Sequence, residues 1–118
     1  MCIRDSDLAA GTFVRGKSFT GTGRLPLDRN GHGTHVASTV AERTNNGRAV
    51  TGLGQGLRLM PVRVLDDQGN GSAAEVAAGI RWASGHGADV INLSLEFPPG
   101  FDTCGDLRVV CEAIDRAP

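Results

Sequence analysis

Residues Leu57–Leu95 read LRLMPVRVLDDQGNGSAAEVAAGIRWASGHGADVINLSL, and the stretch switches between the periods of strand and helix. Leu57 to Leu65 is rich in Leu and Val, with Met60, Val62 and Val64 on one face, as in a strand. Pro61 has no amide to give to a ladder and counts against a regular central strand. Asp66 to Gly71 reads as a loop. Ser72-Ala73-Ala74-Glu75 then forms a capping box, in which the serine accepts from the Glu75 amide and the glutamate reaches back. The helix it opens carries Ala73, Val76, Ala77, Ile80 and Ala83 at helical spacing and ends near Gly85-His86-Gly87. Asp89 to Leu95 is a near-continuous apolar run, as expected of a strand buried in a parallel sheet. Strand, helix and strand in this order predict an α/β fold with a parallel sheet.

Outward from this stretch the alternation continues. Downstream, Pro98-Pro99-Gly100 is a turn, and a last helix from about Gly105 presents Leu107, Val110, Cys111 and Ile114. Upstream, Asn45-Asn46-Gly47 is a turn signal. A helix from His32 or Gly33 to about Arg43 places Val36, Ala37, Val40 and Ala41 on one side. Ser18 to Asn30 is a polar loop, and Thr12-Phe13-Val14 a short strand.

The 118 residues suffice for one domain with a modest core. The net charge of −1 gives no electrostatic case for nucleic acid or an anionic membrane as partner. No apolar run reaches the length of a membrane span. Glycine is abundant, at 17 residues, without a collagen period, which points to tight turns and close backbone approach. Cys104 and Cys111 flank a short loop; a small disulfide and a pair of reduced thiols both remain open.

The chemistry gathers at Asn30-Gly31-His32-Gly33-Thr34-His35-Val36-Ala37. A histidine where a loop enters a helix, with glycine on both sides, is open to a cleft and suits a general base near neutral pH. This motif closely resembles the histidine motif of the subtilisin-like serine peptidases. Further blocks follow in the family's order: Gly52-Leu53-Gly54, Val62-Arg63-Val64-Leu65, Gly69-Asn70-Gly71, Arg81-Trp82-Ala83 and Val90-Ile91-Asn92-Leu93-Ser94-Leu95.

The resemblance implies a three-layer subtilisin-like α/β fold with a mostly parallel sheet, here incomplete, and a secreted, monomeric endopeptidase acting on peptide or protein substrates. His32 matches the triad histidine that takes the proton of a serine nucleophile and passes it to the leaving amine. His35 matches a second, structural histidine. Gly69, Asn70 and Gly71 resemble the backbone edge that pairs with an extended peptide, and Ser94 and Leu95 the opposite wall of the cleft. No cofactor is implied for the chemistry. A structural calcium is a further implication, with side chains of Asp7 and Asn46 and carbonyls of Thr44, Arg48 and Val50 as ligands; a plain polar turn is the alternative.

Several positions depart from the pattern. The triad aspartate is expected upstream of Asp7, and the oxyanion asparagine and nucleophilic serine beyond Pro118. Ser38 and Glu96 stand where glycine is usual. Met1 to Ser6 resembles a translated sequencing adapter, which leaves 7–118 as part of a peptidase domain. The 118 residues alone are expected to fold poorly and to show no peptidase activity. Two other readings use the same residues. His32 and His35 have i, i+3 spacing for zinc, but no Glu follows His32. Gly69 to Ala74 fits a dinucleotide fingerprint, but Asp66 and Asp67 would repel a pyrophosphate.

Overall fold

The computed structural model describes residues 12–21, 25–43, 52–54, 56–101 and 103–117. Its elements are β1 (Lys17–Ser18), α1 (His32–Ala41), β2 (Val62–Arg63), α2 (Ala73–Gly85) and α3 (Arg108–Asp115). β1 and β2 pair in parallel, Lys17 against Val62 and Ser18 against Arg63. Helices alternate with parallel strands, so the chain is α/β.

Between Thr12 and Phe19 the backbone runs beside Leu59 to Arg63. A bridge joins Phe13 to Leu59. The Val14 amide donates to the Leu59 carbonyl at 2.9 Å, and the Lys17 amide to the Pro61 carbonyl at 3.1 Å. Pairing is interrupted at Pro61, which accepts there but has no N–H to return. Gly16 lies opposite. A Cβ on it would collide with the Pro61 carbonyl oxygen and lie 2.9 Å from Pro26 Cγ. The expected strand from Leu57 to Leu65 is therefore a two-residue ladder with a bridge before it.

α1 starts at the expected residue and ends at Ala41. Its last carbonyls are satisfied from outside: Leu53 donates to Thr39 and Gly54 to Val40, both at 3.0 Å, and Gly52 to Glu42 at 3.2 Å. A helix end leaves such carbonyls orphaned unless a neighbour supplies donors. α2 opens on the capping box, with the Ser72 amide donating to Glu75 Oε2 at 2.7 Å and the Glu75 amide to Ser72 Oγ at 3.2 Å. Accepting from the Ser72 backbone and hydroxyl holds the Glu75 carboxyl below its ordinary range.

The core lies between α2 and α3. Val76, Ala77 and Ile80 pack on Val110 and Ala113, with Val64, Ile91, Leu95, Phe97 and Leu107 around them. Small residues on both helices permit close approach. Ile114, expected in the apolar stripe of α3, is 49% exposed, and Ala113 fills the core instead. Cys104 and Cys111 are joined as a disulfide, Cα to Cα 5.7 Å, tying the turn before α3 to its first helical turn.

Asp89 to Leu95 differs most from expectation: among the described residues it pairs with no strand. Ile91 and Leu95 turn inward onto the core, while Val90 is 85% exposed. Phe97 packs on the core too, while Leu93, on the same alternation face as Ile91 and Leu95, is left exposed.

Gly79 marks where α2 meets β2. A Cβ there would lie 2.6 Å from Val64 Cγ1 and 3.2 Å from Val62 Cγ1, whereas one on Gly85 would meet nothing within 4 Å. Alanine gains roughly 1 kcal/mol over glycine in a helix, but overpacking costs about 1–3 kcal/mol. In thermal melts, Gly79→Ala is expected to lower stability, while Gly85→Ala leaves it unchanged or raises it. Equal gains from both would show that α2 does not press on β2.

Candidate active site

His32 is the first residue of α1, and its side chain is exposed. The residue before it, Gly31, is the N-cap, with φ 97°, and has no side chain to cap the helix. Few residues other than glycine hold that backbone without strain. The missing cap comes from three residues upstream. Asp28 Oδ1 accepts from the Gly31 amide at 2.8 Å and the Asn30 amide at 3.0 Å. Its Oδ2 accepts from the Thr34 amide at 2.8 Å and the Thr34 hydroxyl at 2.6 Å. One carboxylate thus closes the loop on both sides of His32 and places negative charge at a helix N-terminus, where the dipole favours it.

Burial alone would push the Asp28 carboxyl up. The hydrogen bonds from the Thr34 side chain and from the Gly31, Thr34 and Asn30 amides outweigh it, lowering the pKa from 3.8 to about 2. The sequence reading passed over this residue. Its signal was an aspartate three residues before a glycine N-cap and six before a threonine in the first helical turn.

Gly69, Asn70 and Gly71 sit in a loop built by Asp66. Its Oδ1 accepts from the Gln68 and Asn70 amides, both at 2.9 Å, and its own amide donates to the Asn70 carbonyl at 2.7 Å. Gly69 has φ 88°, which lets the loop close. At the α2 N-terminus just beyond, the Glu75 carboxylate already accepts from the Ser72 amide, and its charge would repel a pyrophosphate.

The structure joins this loop to the histidine loop. Asn30 Nδ2 donates to the Asp67 carbonyl at 3.3 Å, and Asn30 Oδ1 accepts from the His32 amide at 3.4 Å. Arg63 completes the bracket, donating to the Leu65 carbonyl at 2.9 Å, the Leu27 carbonyl at 3.1 Å and the Asp67 carboxylate at 2.6 Å. Arg29 approaches Asp67 at 3.9 Å. The histidine loop and the Asp66–Gly71 loop therefore meet through Asn30 and Asp67, in a polar seam.

Ser94 and Leu95 are held differently. Leu95 packs on the α2–α3 core, and Ser94 Oγ accepts from Asn92 Nδ2 at 2.9 Å. No hydrogen bond among the described residues ties them to the two loops. The carbonyl of His35 accepts from Ser38 Oγ at 2.8 Å and Thr39 Oγ1 at 3.1 Å. Among the described residues no three His, Cys, Asp or Glu side chains are grouped to hold a metal. Asp7, Thr44, Asn46, Arg48 and Val50, the implied calcium ligands, lie outside the described residues.

An exposed histidine on a clamped helix start, joined through Asn30 to a glycine-bearing loop, is an arrangement to set beside known proteins. Residues 3–116 match the model of the subtilase family of peptidases. The chain belongs to the subtilase family. It is 42% identical to subtilisin DY of Bacillus licheniformis over 98% of the chain and 41% of that protein. Thermitase of Thermoactinomyces vulgaris is 43% identical over 73% of the chain and 31% of its own length. A cell wall-associated protease of Bacillus subtilis is 45% identical over 68% of the chain and 9% of its own length. The chain thus spans less than half of each of these subtilases. The family match begins at Ile3, within the six residues that resemble an adapter.

The Asp28 bonds make stability at the site depend on acid. Because the carboxyl titrates lower in the fold than in the unfolded chain, its contribution is fully present above 3.8 and lost as pH falls toward about 2. The melting-temperature gap between wild type and Asp28→Asn is expected to be constant from neutral pH to about 5 and to close between about 4 and 2. A gap independent of pH over that range would mean that the carboxylate charge is not what the loop uses.

Proposed function

We propose that this chain is the histidine-bearing, substrate-binding part of a subtilisin-like serine endopeptidase. His32 is the general base and acid: it accepts the proton of a serine hydroxyl as that oxygen attacks a peptide carbonyl, then donates it to the departing amine. The aspartate partner and the nucleophile come from outside these 118 residues, so the isolated chain is inactive. Residues 7–118 are part of the peptidase domain.

The observation that carries this reading is the seam in which Asn30 joins the His32 loop to the loop that holds Gly69, Asn70 and Gly71. An extended peptide laid along Gly69, Asn70 and Gly71 pairs through its main chain with the Gly69 carbonyl and with Gly71, since the Asn70 amide and carbonyl already bond to Asp66; such pairing gives affinity with little sequence demand. The same strip passes His32, because Asn30 bonds both loops. Ser94 and Leu95 form the other wall of the cleft. The uncovered faces of Val90 and Leu53 (85% and 89% exposed) support a larger domain, since covering such side chains is worth roughly 1.5–3 kcal/mol each.

The Cys104–Cys111 bridge fits an oxidising, extracytoplasmic location. The enzyme works as a monomer without a catalytic cofactor, and Asp7, Thr44, Asn46, Arg48 and Val50 hold a structural calcium.

The intact gene product tests this. Wild type is expected to hydrolyse casein and to take a fluorophosphonate label on one serine. His32→Ala should lose about six orders of magnitude in kcat, the scale known for the triad histidine of subtilisin. His86→Ala, whose ring stacks on Trp82 at the far end of α2, should keep wild-type activity. Full activity in His32→Ala would sink the reading.

A further inference from the structure

We propose that Asp28 is a positioning residue for the reaction: its carboxylate clamps Gly31 and Thr34, and so sets where the His32 imidazole stands. This rests on the reading of His32 as the base. α1 cannot fix its own first residue, because Gly31 at the N-cap carries no side chain and sits at φ 97°. His32 and Gly33 are the two residues between the clamped ones, and His32 leads directly from a backbone that only a glycine relaxes into.

The clamp is the strongest polar contact of this loop. Its four bonds measure 2.6–3.0 Å, against 3.3 and 3.4 Å for the bonds of Asn30 to Asp67 and to His32. Charge-assisted bonds to amides are roughly twice as strong as neutral ones. Both carboxylate oxygens are engaged, so the Gly31 side and the Thr34 side cannot drift independently. Remove the carboxylate and the helix start frays by one residue, which is His32. A base displaced by about 1 Å costs on the order of 100-fold in rate.

A positioning role separates from a merely structural one in kcat and KM. The intact gene product is assayed with a peptide substrate, well below the melting point of every variant. Asp28→Ala is expected to lower kcat about 100-fold with KM changed less than about twofold. Thr34→Val, which removes one of the four bonds, should lower kcat about tenfold, and Thr34→Ser, which keeps the hydroxyl, should restore it. Fluorophosphonate labelling rates should fall in the same order.

Wild-type kcat in Asp28→Ala, with His32→Ala inactive, would overturn the positioning role and leave His32 as the base. A raised KM at unchanged kcat would also overturn it, assigning Asp28 to substrate binding. Activity in His32→Ala would instead overturn the peptidase reading beneath it. Should Asp28→Ala fail to fold, the Thr34 pair decides: equal kcat in Val and Ser rejects the clamp.

Discussion

A helix cannot cap itself when its N-cap is glycine, and α1 depends on a carboxylate borrowed from Asp28. The first four amides of a helix and its last four carbonyls need partners, and the start of α1 has an exposed loop before it instead of a strand. Asp28 meets that need with both oxygens. The glycine is itself required, because the chain turns into the helix through a positive φ. Flexibility at Gly31 and rigidity from Asp28 are two halves of one solution: the first lets His32 stand clear of cover, and the second keeps it in place.

The bracket around Arg63 extends this order outward. Arg63 is on β2, so the sheet position of one residue determines where Leu27, Leu65 and Asp67 lie. The pairing of β2 with β1 and the packing of Gly79 on Val62 and Val64 fix that strand in turn. A chain of contacts therefore runs from the α2–α3 core, through β2, to the histidine loop. Loops carry the chemistry, and the layered elements supply the coordinates.

Much of the fold was legible because local rules and burial agreed. The capping box at Ser72, the periodic apolar positions of α2 and the start of α1 at His32 all appear where the residues place them. The α/β class followed from alternation alone. Three features were not legible. Asp89–Leu95 has the composition of a buried strand, but composition cannot supply a neighbour to pair with, and none is present among the described residues. In the strand before Asp66 the missing Pro61 donor was visible, but not that Gly16 must sit against Pro61, a coupling between residues far apart in sequence. At the site, His32 announced itself by motif. Asp28 did not, because an aspartate in a polar loop looks like any solvated charge until its four bonds are seen.

His32 belongs to the reacting centre only if an electrophile drawn into the cleft meets its ring. A peptide chloromethyl ketone, incubated with the intact gene product and followed by peptide mass spectrometry, reads this without assuming any rate. Alkylation on His32, blocked by prior fluorophosphonate treatment, is the expected result. Modification of His35 or His86 at the same rate, or no protection by the serine reagent, would contradict the assignment of His32 as the catalytic base.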